Sequence, residues 1–121
     1  MSQSTSHDER MANMNFGTVY PLYLAKILKK GRTEAELLEV ICWLTGYTQS
    51  EIQQFVEAKV TFKTLFNGAK LHPNATLITG MICGYRIEEI ENPHTKNIRY
   101  LDKIVDELAK GKKMEKILRE F

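Results

Sequence analysis

Two copies of one helix-starting device stand close together in this chain and constrain it more than anything else. Thr33-Glu34-Ala35-Glu36 and Thr48-Gln49-Ser50-Glu51 are both capping boxes. In each, the threonine oxygen accepts from an early backbone amide and the glutamate reaches back to the cap. Leu37, Leu38, Ile41 and Leu44 follow the first box at helical spacing, with Val40 and Trp43 widening the stripe and Gly46 closing it. Ile52, Phe55 and Val56 form the apolar face after the second box, in a helix that extends to about Lys59.

The pattern continues on both sides of this pair. Residues 1–13 are polar and aperiodic and read as a flexible tail. Val19, Leu22, Tyr23 and Ile27 keep helical spacing, with Pro21 in a first turn and Gly31 as the stop. Thr61 caps a short segment carrying Phe62, Leu65 and Phe66, and residues 71–74 form a loop. Asn92-Pro93 opens the longest stripe, Ile98, Leu101, Ile104, Val105 and Leu108, which Gly111 ends before a short helix from Met114 to Leu118. Only residues 76–90 admit two periods. Leu77, Ile78, Met81, Ile82 and Tyr85 fit a helix; Leu77, Thr79, Met81, Cys83, Tyr85 and Ile87 fit one face of a strand. Gly80 and Gly84 suit neither interior, and length favours the helix. The expected fold is all-α, a single domain over residues 14–121 with about six helices, two of them short. Its core comes from residues 37–44, 52–56 and 98–108. An α+β fold is the alternative if residues 76–87 form a strand.

A chain of 121 residues buries enough surface to need no staple. Cys42 and Cys83 sit among apolar neighbours and read as small buried hydrophobes in a reducing compartment. No run approaches the length of a membrane span, and residues 1–10 lack the apolar core of a secretory signal, so the expected location is cytoplasmic. The formal charge of +2 steers the whole molecule weakly.

Several chemistries find no support. His7, His72 and His94 lack the helical partner spacing of metal ligands, and no CxxC occurs, so no metal is expected. No phosphate-cradling loop appears, and no cofactor is expected. Gly80 and Gly84, if helical, offer a face for close helix approach. A cysteine–histidine pair would have to bring His72 or His94 to Cys83.

Two segments point toward nucleic acid. The run from Glu39 to Phe55, continued to Lys59, fits a helix-turn-helix pattern with Cys42 small, Gly46 in the turn and Tyr47, Ile52 and Phe55 apolar. Its second helix presents Gln49 and Gln53, which suit adenine, beside Glu51 and Glu57, which repel phosphate. Tyr20 and Tyr23 with Lys26, Lys29, Lys30 and Arg32 interleave aromatics and cations, the composition of a single-strand platform. The bland reading packs those tyrosines in the core and leaves the cations solvated.

Six ordered words carry a family resemblance: Val19-Tyr20-Pro21-Leu22-Tyr23, Lys30-Gly31-Arg32-Thr33, Trp43-Leu44-Thr45-Gly46-Tyr47, Leu77-Ile78-Thr79-Gly80, Ile98-Arg99-Tyr100-Leu101-Asp102-Lys103, and Asp106-Glu107-Leu108-Ala109-Lys110-Gly111-Lys112. From about Met14 to Phe121 the chain resembles the bacterial family termed domain of unknown function 2200. The resemblance implies a stand-alone bacterial domain and assigns no residue a role.

The leading functional expectation is a protein–protein interaction module that associates with itself as a homodimer. The long stripe of residues 98–108, Gly80 with Gly84, and the terminal helix are its candidate surfaces. A nucleic-acid-binding protein is one alternative. A small enzyme with an aromatic pocket at Tyr20, Trp43 and Tyr85 is the other. Removing either box threonine leaves a helix amide without its partner. Thr33→Ala and Thr48→Ala are each expected to cost about 1 kcal/mol in chemical denaturation. Unchanged midpoints in both would misplace these helix starts.

Overall fold

A computed structural model describes residues 2–120. Both capping boxes form. The Thr33 oxygen accepts from the Glu36 amide at 3.2 Å and the Thr48 oxygen from the Glu51 amide at 3.1 Å. They start α3 (Glu34–Thr45) and α4 (Gln49–Ala58). Ahead of them lie α1 (Ser2–Ala12) and α2 (Phe16–Leu28). After them come α5 (Phe62–Asn67), a two-stranded antiparallel hairpin of β1 (Met81–Ile82) and β2 (Tyr85–Arg86), then α6 (Pro93–Ala109) and α7 (Met114–Ile117). The described residues are mainly helical and make one small domain.

The long helix sits at the centre. Asn92 caps α6 by accepting from the Thr95 amide, Pro93 fills the first turn, and Ile98, Leu101, Ile104, Val105 and Leu108 are buried. α1, α2, α3, α5 and α7 all pack against it. The core also takes Phe16, Tyr20, Tyr23 and Ile27 from α2 and Phe62 and Leu65 from α5, beyond the three segments expected to make it. In α4 only Ile52 is fully buried; Phe55 and Val56 are half-buried.

Four sequence expectations change. Residues 2–12, read as a tail, are helical, with Met11 and Ala12 buried and Asp8 accepting the Thr95 hydroxyl at 2.6 Å. The polar face of α1 hides a short apolar edge that tertiary packing uses. Second, α2 begins at Phe16, with Asn15 as its cap, so Pro21 lies inside it and Leu22 is 65% exposed. Third, residues 76–90 form no long helix. A 3-10 turn at Pro73–Leu77 leads to the hairpin and to a second 3-10 turn at Ile87–Glu89. Gly80 and Gly84 adopt φ of 98° and 84°, which a helix interior cannot contain, and Cys83-Gly84 makes the two-residue hairpin turn. Ile78 and Ile87 anchor the segment while Leu77, Met81 and Tyr85 face outward. Fourth, Cys83 is exposed at that turn and only Cys42 is partly buried.

Close helix approach therefore occurs elsewhere. A Cβ on Gly17 would collide with the carbonyl oxygen of Val56 and the Cα of Lys59, so α2 and α4 meet only because residue 17 is glycine. The same junction is tied by Phe16 N–H donating to Val60 C=O at 2.8 Å and Phe62 N–H to Met14 C=O at 2.9 Å.

The end of the chain also returns to its own core, where Ile117 and Leu118 are buried. The Arg119 guanidinium donates to both oxygens of Glu107 on α6, at 2.6 and 3.0 Å, and to the Ile117 carbonyl. A buried pair of this kind is costly to break from one side only, because Glu107 then loses its buried two-point partner and keeps only the more exposed Lys112 at 3.3 Å. Arg119→Met is expected to destabilise the protein by about 3 kcal/mol or more in urea denaturation. Adding Glu107→Leu is expected to recover most of that loss, and a double variant as unstable as the single one would refute the pairing.

Candidate interaction surface

The α2 sequence, Phe16-Gly-Thr-Val-Tyr-Pro-Leu-Tyr-Leu-Ala-Lys-Ile-Leu28, is apolar around most of its circumference. A helix with that composition normally has neighbours on every side. Here one side holds Phe16, Tyr20, Tyr23 and Ile27 in the core. The opposite side presents Thr18, Pro21, Leu22, Ala25, Leu28 and Lys29 to solvent, with Leu28 52% exposed. The sequence put Leu22 on the helix stripe and Pro21 in a first turn, and the structure exposes both, with Leu28. The available signal was the excess of apolar residues for one buried face.

Two of the four cations around this helix are engaged. Lys26 pairs with Asp106 at 3.2 Å. Arg32 pairs with Glu36 at 3.2 Å and donates to the Lys112 carbonyl at 2.9 Å. Lys29 and Lys30 are exposed and make no ion pair among the described residues. The two tyrosines point inward: Tyr20 donates to Glu34 at 2.8 Å and Tyr23 to Asp102 at 2.7 Å. Their rings are buried, so no base can stack on them where they stand.

The helix–turn–helix segment has its expected parts. α3 and α4 are joined through Gly46, and Tyr47 pins the turn with its hydroxyl on the Leu65 carbonyl at 2.7 Å and its ring 4.8 Å from that of Phe55. Gln49, Ser50, Gln53 and Gln54 face solvent with Glu51 and Glu57, and Lys59 lies only at the far cap. Gln49 and Gln53 thus lie on a different helix from the Lys26–Arg32 cluster.

The three aromatics taken for a pocket have separate surroundings. Tyr20 is held by Glu34 on α3, and Trp43 stacks on His72 at 4.5 Å. Tyr85 lines a cleft beside α6 that neither of the others reaches. His72 accepts from the Asn74 amide through Nδ1, and His94 meets Asn67 across 2.9 Å, so each histidine has local work away from Cys83.

With the fold and this surface in view, its relatives can be placed. The family model of an uncharacterized protein conserved in bacteria, DUF2200, matches residues 10–119. The chain belongs to this family. It is similar to the crystal structure of an uncharacterized protein, SP1917, at 40% identity over 93% of each chain, with a TM-score of 0.86. No curated protein matches it. Neither relative carries a named activity. Among the described residues no helix is long and apolar enough to cross a membrane.

Burial first, then the acceptor contact with Glu34, pushes the Tyr20 phenol well above its ordinary value. Burial, followed by the charge and hydrogen bond of Asp102, does the same for Tyr23. A raised folded pKa means the folded state keeps a proton that the unfolded chain releases above about pH 10. The stability contributed by both phenols is therefore complete below that pH and fades as pH climbs toward the folded values. Denaturation midpoints are expected to fall steeply above about pH 10, and a Tyr20→Phe, Tyr23→Phe variant is expected to flatten that decline. An unchanged slope in the variant would count against these contacts.

Proposed function

We propose that the protein is an interaction module that pairs with a second copy of itself along the outward face of α2. The observation that carries this reading is the uncovered apolar row Pro21, Leu22, Ala25 and Leu28 on a helix already buried on its other side. The surfaces first suggested by sequence do not serve it. The α6 stripe is internal, Gly80 and Gly84 lie in turns, and the residues after α7 are fastened to Glu107 through Arg119.

A second copy suits the charge layout. A two-fold axis through the middle of α2 sets the two helices antiparallel, with the apolar row against itself. Lys29 of each copy then lies about 21 Å from the other along the axis at a 1.5 Å rise per residue, beyond the reach of screened repulsion. The row gains by leaving water at about 25 cal/mol per Å2. The helix–turn–helix segment favours nucleic acid less, because its outward row mixes Glu51 and Glu57 with the glutamines and carries no cation before Lys59.

Light scattering at tens of micromolar is expected to give twice the chain mass. Leu22→Asp with Leu28→Asp is expected to halve it while leaving the thermal transition cooperative, since both side chains are exposed. A monomeric parent, or a dimer indifferent to these changes, would overturn the proposal.

A further inference from the structure

α1 lies across α6, and two clefts open on either side of their contact. The larger, of about 450 Å3, runs beneath the hairpin, with Tyr85, Glu89 and Glu91 on its walls. The other, of about 320 Å3, lies between Arg10 of α1, Met14 in the turn after it, Val19 of α2, Phe62 of α5 and Ile98 of α6. His7 and Arg99 form the wall common to both.

That wall is well ordered yet incompletely bonded. Arg99 donates through Nη1 to Asp102 at 3.0 Å, and its guanidinium lies 4.9 Å from the centre of the Tyr85 ring. Tyr85 in turn stacks on His7 at 5.8 Å. Nevertheless Arg99 Nε and His7 Nε2 are both buried without a hydrogen-bond partner. Buried polar atoms are nearly always paired; Arg99 Nε can only donate, so it marks a place where an acceptor is missing, while His7 Nε2 takes either role with its tautomer. Because Asp102 and Tyr85 already hold the guanidinium, little conformational freedom remains to be lost on binding.

The charges say which acceptor and which cleft. The larger cleft has Asp8, Glu89 and Glu91 against Arg86 and Arg99, and Arg86 is already paired with Glu89. The smaller has Arg10 and Arg99 against Asp102 alone, and Arg10 makes no ion pair among the described residues. An anion is therefore repelled by the first cleft and drawn to the second. Met14, Val19, Phe62 and Ile98 give the second cleft an apolar floor and rim. The nearness of Asp102 favours one negative charge over the two of a phosphate monoester.

We propose that this cleft binds a small amphipathic carboxylate, its acid group held by Arg99, His7 and Arg10 and its apolar chain lying against Met14, Val19, Phe62 and Ile98. The cleft is formed within one chain, so the proposal does not rest on pairing.

Titration of the isotope-labelled full chain with hexanoate, hexanol and hexylammonium, followed by amide resonances, tests it. Hexanoate is expected to move the signals of His7, Arg10, Val19 and Arg99 saturably, with the other two probes about tenfold weaker. Arg99→Met is expected to abolish the effect. Should that variant lose its fold, Arg10→Gln decides: it alters an exposed side chain and is expected to weaken hexanoate several-fold. No saturable shift, equal binding of hexanol or hexylammonium, or an Arg10→Gln variant that binds hexanoate as the parent does would each overturn the proposal.

Discussion

Ile98, Leu101, Ile104, Val105 and Leu108 recur at helical spacing along α6, and burying that stripe obliges α1, α2, α3 and α5 to stand around it. Apolar burial of this kind has no direction of its own, so it gathers helices without specifying their angles. The angles follow from close approach and from polar contacts. Gly17 lets α2 and α4 touch backbone to backbone, and the Phe16 and Phe62 amides lock the start of α2 to the start of α5.

The polar side of the same helix carries three acids in sequence, each holding a different part of the chain. Asp102 receives Tyr23 and Arg99; Asp106 receives Lys26 and Lys110; Glu107 receives Arg119 and Lys112. Lys26, Arg99, Lys110, Lys112 and Arg119 are thus answered within the fold. This also explains why a cluster that looked free for phosphate retains only Lys29 and Lys30 without such partners among the described residues. The exposed pairs among these add little energy each, whereas the buried Glu107–Arg119 pair fixes residues 117–119 against α6.

Two surfaces remain unexplained by the needs of the fold. The outward row of α2 is apolar where water would favour polar side chains, and the wall shared by His7 and Arg99 keeps two nitrogens unpaired. Both features run against stability, and sites of that kind are where binding is most often found.

Local chemistry was enough to read α3, α4 and α6 from the sequence, because capping boxes, proline at a first turn and a regular stripe act within a few residues. The family was legible for the same reason, in six short words. Periodicity could not decide residues 76–90, where both periods fit, and the positive φ of Gly80 and Gly84 became visible only with the chain folded. Nor could it see α1, whose few apolar residues matter only because α6 lies beneath them. The tertiary structure alone turned Tyr20 and Tyr23 inward, left Leu22 and Leu28 outside and brought His7 to Arg99, since each of these depends on contacts between residues far apart in the chain. Helix identity is a short-range property of side chains; exposure and juxtaposition belong to the packed whole.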